Sequence, residues 1–357
     1  MKKLLSIILV VHTLNPAMPQ KMPKTRIARF ADVHNTGVLD KGMAFDLFRK
    51  EIKSAAEENE KIPKKDNSIF RIMSYNVHFW QNPEATQSAL KNMMHVIATV
   101  NPDILILQEV SPNEGFAQGK YFLNSRAFNE LQKLGFTDFS ACNTVQSGWF
   151  GNVIASKKSL LDKNRFAFVG QRENSLENRC YSLAQTRLST GDDLYVYGTH
   201  LEVRDNGTIR LAQVSEIIQR IQWELPNSNV LLAADFNATR SSGAIQLLQQ
   251  NGYQDCFTYM GWHAPTFTSW AGTEIDFIFL SPKWDLPLAG CYVYFDAASD
   301  HLPVIMDIEL QRQPETSKIP TRAPRGDQHI KPDTNFLEEL LQTLQRDFIW
   351  LAQVFNP

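Results

Sequence analysis

Little in this sequence of 357 residues offers a shortcut to its chemistry. Cysteine is scarce: there are four, Cys142, Cys180, Cys256 and Cys291, and none lies in a C-x-x-C pair, which removes the ordinary cysteine zinc site. The even count permits two disulfides, but the spacing selects no pairing, and the four read as half-buried thiols. No apolar run approaches the roughly 20 residues that cross a bilayer, so no membrane span is expected. There is no internal repeat and no low-complexity tract. Neither sign of charge dominates, with a net charge of -2. Residues 69–312 are acidic, with 18 Lys/Arg against 24 Asp/Glu, whereas residues 1–68 carry 13 against 8. A protein that grips long nucleic acid by its phosphates shows a basic field, so this balance counts against that class unless a bound cation reverses the local sign.

What is present divides the chain into five stretches. Residues 1–20 form a signal-like leader: Lys2 and Lys3 precede the apolar run Leu4 to Val11, and Ala17 stands before a usable cut. Asn15 replaces the small residue expected two positions earlier, so the signal is weak. Export or secretion is the expectation, with the cytoplasm as the alternative. Residues 21–68 form a helical N-terminal extension, in which Ala44, Phe48, Ile52 and Ala55 share one face of a helix over Asp40–Lys61. Residues 69–312 form the main domain. Residues 313–334 read as a linker rich in Pro, Lys, Arg, Thr and Gln. Residues 335–357 form an amphipathic C-terminal helix, striped by Leu337, Leu341, Leu344, Phe348, Leu351 and Phe355. That stripe is expected to dock on the chain's own domain or on a partner.

Within the main domain, strand signals fall at 70–77, 103–110, 152–156, 181–188, 194–200, 230–234, 274–280, 291–295 and 303–308, and helical periodicity at 85–100, 209–223 and 242–250. Strands follow strands in some places and helices in others. This points to an α/β (α+β) domain with mixed sheets and helices outside them.

Polar residues recur where these strands end. One strand runs into Asn76, a second ends on Glu109, a third on His200, and a fourth on Asp235 and Asn237. Asp276 opens a fifth, and Asp300 and His301 precede a sixth. Active sites gather at strand ends and the loops beside them. Asn, Glu and Asp supply the hard oxygen ligands that suit Mg²⁺ or Mn²⁺, and His beside Asp supplies a base with an orienting partner.

The ordered segments Ser74-Tyr75-Asn76-Val77, Leu107-Gln108-Glu109-Val110, Gly198-Thr199-His200-Leu201, Ala234-Asp235-Phe236-Asn237, Ile275-Asp276-Phe277-Ile278 and Ser299-Asp300-His301-Leu302-Pro303 resemble those of the endonuclease/exonuclease/phosphatase superfamily. That superfamily includes apurinic endonucleases, pancreatic-type deoxyribonucleases, inositol polyphosphate phosphatases, neutral sphingomyelinases and tyrosyl-DNA phosphodiesterases. The resemblance spans about Ile69 to Leu310 and implies a four-layer sandwich of two β-sheets flanked by helices. It also implies roles: Glu109 as main metal ligand with Asn76 beside it and Asp300 in support, directly or through water. His301 would act at the attacking water, oriented by Asp276. Asp235 would orient that water, Asn237 would hold a phosphate oxygen, and His200 would donate to a non-bridging oxygen. Asn152 and Glu202 are weaker candidates, and Arg210 and Gln213 read as structural.

The implied activity is divalent-metal-dependent phosphoester hydrolysis with Mg²⁺, or Mn²⁺ in its place. A phosphodiesterase is expected, acting on nucleic acid, a phospholipid or another small diester. The alternatives are a phosphomonoesterase on inositol or sugar phosphates and an inactive scaffold of the same fold; the presence of both Glu109 and His301 counts against the scaffold. One departure stands out. Several nuclease members carry an acidic residue two positions after the metal-site Asn, where this chain has His78. Specificity is expected at the rims 112–121 and 261–272, whose aromatic candidates are Phe116, Tyr121, Tyr259, Trp262, Phe267 and Trp270.

Overall fold

A computed structural model describes residues 52, 55–82, 88–111, 125–143, 151–169, 179–203, 207–261, 263, 266–267 and 273–310. The leader, the linker, the C-terminal helix and most of the Asp40–Lys61 helix lie outside these residues. The end of that helix, Ala56–Lys61, is a 3₁₀ turn.

Twelve strands are described: β1 (Ile69–Asn76), β2 (Ile104–Val110), β3 (Asp138–Asn143), β4 (Gly151–Ser156), β5 (Lys163–Ala167), β6 (Cys180–Arg187), β7 (Asp193–His200), β8 (Asn229–Asp235), β9 (Gln254–Asp255), β10 (Asp276–Leu280), β11 (Leu288–Val293) and β12 (Val304–Glu309). The described helices are α1 (Leu90–Val100), α2 (Arg126–Lys133), α3 (Thr208–Glu224), α4 (Gly243–Gln250) and α5 (Cys256–Met260). The strands form two six-stranded sheets, ordered β11-β12-β1-β2-β4-β3 and β5-β6-β7-β8-β10-β9. Each sheet is antiparallel except for one parallel pair, β1 with β2 and β7 with β8. Parallel neighbours need a helical crossover, and α1 and α3 supply the two.

Side-chain alternation builds the layers. In β1 and β2, Phe70, Ile72, Ile104 and Ile106 face the second sheet and meet Val196, Leu231, Ala233 and Ile278. Met73, Tyr75, Leu105 and Leu107 point the other way, onto Met93, Ile97 and Val100 of α1. On the far side, Leu232, Ala234 and Phe277 cover Val214, Ile217 and Ile221 of α3. The result is helix, sheet, sheet, helix, the four-layer sandwich expected. Gly198 of β7 lets the sheets approach closely, because a Cβ there would meet Ile106 Cγ2 at 2.8 Å.

The cysteines correct the sequence expectation. They are paired, Cys142 with Cys180 and Cys256 with Cys291. The first bond joins β3 of one sheet to β6 of the other, and the second joins α5, just after β9, to β11. Partners 38 and 35 residues apart meet only because the two sheets face each other, which spacing alone does not reveal. Closing loops of this length removes denatured-state entropy worth about 3–4 kcal/mol each in the chain-entropy account. The double variant Cys256→Ser/Cys291→Ser is therefore expected to melt well below the wild type under non-reducing conditions, and equal melting temperatures in a calorimetric scan would refute the stapling role.

Candidate active site

The inner faces of both sheets change from apolar to polar towards one end. In β7, β8 and β10 the pairing register sets His200 opposite Asp235 and Asp235 opposite Asp276, so three adjacent strands present these groups in one row. In the facing sheet, Asn76 and Gln108 hold the matching positions.

Glu109 is out of phase. Ile104 and Ile106 face inward, so strict alternation sends Gln108 inward and Glu109 to the outer face. A bulge between Leu107 and Val110, with Glu109 at φ 55°, turns its carboxylate inward instead. Of the six non-glycine residues with positive φ among the described residues, five lie here: His78, Phe79, Trp80, Glu109 and Asn237. The sixth, Asn101, caps α1. Each such conformation costs about 1–3 kcal/mol and persists only where surrounding contacts over-determine it, so strain concentrates where candidate groups are aimed.

The eight candidates gather around Asp235. Its Oδ2 accepts from Asn76 Nδ2 at 3.0 Å and lies 3.4 Å from His200 Nε2 and 3.6 Å from His301 Nε2. Its Oδ1 accepts from the Asn237 N–H at 2.9 Å. Asn76 Nδ2 also donates to Glu109 Oε1 at 3.2 Å, while Asn76 Oδ1 accepts from the His78 N–H at 3.0 Å. In this arrangement Asn76 orients two carboxylates. Asn237 Nδ2 donates to the Leu201 carbonyl at 3.0 Å, which turns the amide nitrogen towards His200 Nε2 at 2.8 Å. That ring nitrogen is then the acceptor and Nδ1 carries the proton, an assignment made from the network. His200 Nδ1 is buried without a hydrogen-bond partner, 4.0 Å from Glu109 Oε1. Burial, with Arg179 and His301 adding to it, holds His200 well below the usual imidazole range and keeps it neutral.

His301 has the opposite character. Its Nδ1 meets Asp276 Oδ2 at 2.9 Å, and Phe267 packs its ring on the imidazole with centroids 4.6 Å apart. Burial opposes charge on this ring, but Asp276 and Asp235 outweigh it and hold His301 well above the usual value. Thr266 Oγ1 accepts from the backbone N–H groups of Ile275 and Asp276, at 3.1 and 3.0 Å, and locks the start of β10. Asp300 Oδ2 lies 3.0 Å from His78 Nδ1. Burial and then Asp300 push Glu109 up to about 7.

The residues present suit a divalent cation. One ligand atom each from Glu109, His200 and Asp235 lie within 4.8 Å of one another, and crowded carboxylates of this kind are relieved by positive charge. Glu109 supplies a hard oxygen, with Asp300 and Asp235 beside it.

Several neighbours were not singled out from sequence. Arg179 is buried, its Nε 4.0 Å from Glu202 Oε2, and it bears electrostatically on His200. Its signal in the sequence is a charged residue directly before an apolar strand. Thr266 and Phe267 lie outside the named strands and helices, Phe267 bridging to Thr273 and His301, and among the described rim aromatics Phe267 packs on a catalytic candidate. Tyr259 is exposed, and Phe116, Tyr121, Trp262 and Trp270 lie outside the described residues. Asn152 is buried in β4, its Nδ2 donating to the Cys180 carbonyl at 3.0 Å. Arg210 and Gln213 hold the backbone of Glu202, as structural residues do.

A sandwich of two mixed sheets with a carboxylate, amide and imidazole cluster at one end defines the phosphoesterase class of this architecture. Residues 73–301 match the model of the endonuclease/exonuclease/phosphatase family, and the chain belongs to that family. Solved structures agree on the fold. An endonuclease/exonuclease/phosphatase from Beutenbergia cavernae is 18% identical at a TM-score of 0.56, over 68% of this chain and 72% of that one. The human Nocturnin catalytic domain with bound sulfate anion is 16% identical at 0.54, over 69% and 96%. D. rerio TDP2 complexed with single strand DNA product is 19% identical at 0.52, over 68% and 100%. A search of the curated proteins finds no match.

Proposed function

We propose that the chain is a divalent-metal-dependent phosphodiesterase, with Mg²⁺ or Mn²⁺ as the ion. The observation that carries this reading is the unbroken series Asp276, His301, Asp235, Asn76, Glu109, each within hydrogen-bonding or ion-pair reach of the next. When bound, the cation would neutralise a phosphate oxygen and stabilise charge building in the transition state. Glu109 would hold it, supported by Asp300. Asp276 fixes the His301 ring, whose Nε2 and the Asp235 carboxylate flank one point where a water could be held; with a cation bound, the ring's proton affinity would fall and Nε2 would be free to take the water's proton. His200, kept neutral with Nδ1–H directed inward, would donate to a non-bridging phosphate oxygen. Asn237 sets the tautomer of that donor. Retention of every member of this set disfavours an inactive scaffold.

The sulfate on Nocturnin and the single-stranded DNA product on TDP2 support a phosphoester substrate. The acidic main domain favours a small diester or a short single strand over a long duplex. Two disulfides support maturation where thiols oxidise, in keeping with the signal-like leader. The test is a panel of chromogenic diester, chromogenic monoester, single-stranded DNA and RNA, with and without Mg²⁺ or Mn²⁺. Hydrolysis of diesters that stops with chelator is expected. Metal-dependent turnover of the monoester alone would replace this reading with phosphomonoesterase activity, and no turnover of any substrate would favour the scaffold.

A further inference from the structure

The two halves of the site belong to different sheets. Asn76 and Glu109 come from one, His200, Asp235 and Asp276 from the other, so the gap between the sheets decides whether one ion or one phosphate can touch both. At the centre of the site that gap is spanned by the hydrogen bond from Asn76 Nδ2 to Asp235 Oδ2. On one flank it is spanned covalently. The register that pairs Tyr181 of β6 with Thr199 of β7 sets Cys180 beside His200. In the facing sheet Cys142 of β3 pairs with Asn152 of β4, and the bulge in β2 leaves Gln108 and Glu109 opposite Asn152. The bond between Cys142 and Cys180 therefore completes a path from Glu109 through Asn152 to His200. Both cysteines are buried, and their sulfurs lie 3.9 and 4.0 Å from Asn152 Nδ2. The Cys180 carbonyl accepts from Asn152 Nδ2 at 3.0 Å and from Thr199 Oγ1, next to His200, at 2.9 Å.

We propose that the Cys142–Cys180 disulfide is a positioning element that sets the width of the site, so that ion binding and turnover require it, whereas Cys256–Cys291 serves stability alone. This rests on the metal-dependent reading above. Apolar packing holds the sheets together lower down, where Ile106 and Ile154 meet Ala184 and Val196. At the site end the facing residues are polar: Gln108 and Asn152 on one side, Ser182 and His200 on the other. Gln108 Oε1, Asn152 Oδ1 and Ser182 Oγ are buried and make no hydrogen bond to another described residue. Such groups gain by meeting water, so they favour separation of the sheets at this end, and the covalent tie opposes it. Cys256 and Cys291 have no such neighbours. They lie in the apolar core, and Cys291 pairs with Met306, which pairs with Ile72, short of the site end of β1.

The test compares the full-length wild type with Cys142→Ser/Cys180→Ser and with Cys256→Ser/Cys291→Ser, each well below its own melting temperature. The readouts are calorimetric titration with Mn²⁺ and the kcat and KM for a chromogenic diester. The bonds close loops of similar length, 38 and 35 residues, so both variants should melt lower by similar amounts. Function should separate them. Loss of Cys142–Cys180 should weaken Mn²⁺ binding by about tenfold, as when a residue supporting a metal ligand is removed. It should lower kcat by about 10- to 100-fold, the cost of a small misplacement of reacting groups. Loss of Cys256–Cys291 should leave both values near the wild type. Cys142→Ala/Cys180→Ala, which adds no buried hydroxyl, should behave as the serine pair does. Equal losses in the two disulfide variants, or none in the first, overturn the inference and leave the metal reading intact. A Cys142–Cys180 variant that folds in neither the serine nor the alanine form also overturns it, because the bond is then a requirement of the fold and not of the site. A wild type that binds no Mn²⁺ and hydrolyses no diester overturns both readings.

Discussion

Asparagine in place of His301 should lower turnover by about 10²- to 10⁴-fold, the range expected when a positioned acid–base group is lost. The backbone should be undisturbed, because His301 bonds through its N–H to Ser299 Oγ and forms a bridge to Phe267 that any residue type can make. The pH profile separates chemistry from structure. Wild-type activity should carry a titration belonging to the His301–Asp276 pair, in which the neighbouring carboxylates hold the ring's affinity for protons high against burial. That limb should vanish in His301→Asn, with KM changed far less than kcat. A variant that melts normally and turns over within a few-fold of the wild type would remove His301 from the reaction.

Alanine at Glu109 should abolish hydrolysis and divalent-ion binding together. Losing the principal ligand forfeits several kcal/mol of transition-state charge stabilisation, on the order of 10³-fold in rate or more. The metal-free protein should not be weakened, since burial and Asp300 push this carboxyl from its ordinary 4.5 up to about 7. A raised carboxyl favours the folded state while protonated. Its contribution is complete below about 4.5 and is lost as the pH climbs through about 7. Metal-free wild type should therefore lose stability across that window, and Glu109→Gln should flatten the dependence. Ion affinity should follow the opposite course, rising as the carboxyl ionises. Retained ion binding in Glu109→Ala would place the cation elsewhere.

The strands that carry the site were legible because they are nearly continuous apolar runs ending in one polar group. The expected strand at 194–200 and the observed Asp193–His200 differ by one residue, and 230–234 against Asn229–Asp235 is similar. Strands β3 and β5 were missed. Asp138–Asn143 and Lys163–Ala167 are edge strands whose outward apolar residues are few, Phe139 and Ala141 in the first and Phe166 in the second, too few to give a strand pattern. The helix Arg126–Lys133 was missed because eight residues, announced mainly by the Ser125 cap, give periodicity too little length. Glu109 was legible as a residue but not as a direction, because alternation points it outward and only the bulge reverses it. Asn237 was legible as a strand-end amide, yet the Leu201 carbonyl and His200 engage its nitrogen, which no spacing predicts. Thr266 and Arg179 reach the site through the tertiary fold alone.

His200, Asp235 and Asp276 sit side by side because three strands share one register. Side chains alternate with a period of two, so a slip of a single residue in β8 would carry Asp235 to the outer face and bring Ala234 or Phe236 into its place. The same slip would turn Leu231 and Ala233 onto α3 and set Leu232 and Ala234 between the sheets, so both packed layers would lose their fit. A mispaired chain is thus both unstable and chemically silent, and no half-assembled form can cut a substrate it has not been shaped to hold. Competence and correct folding are gated by the same hydrogen-bond ladder, so the chain stays inert until its sheets are in step.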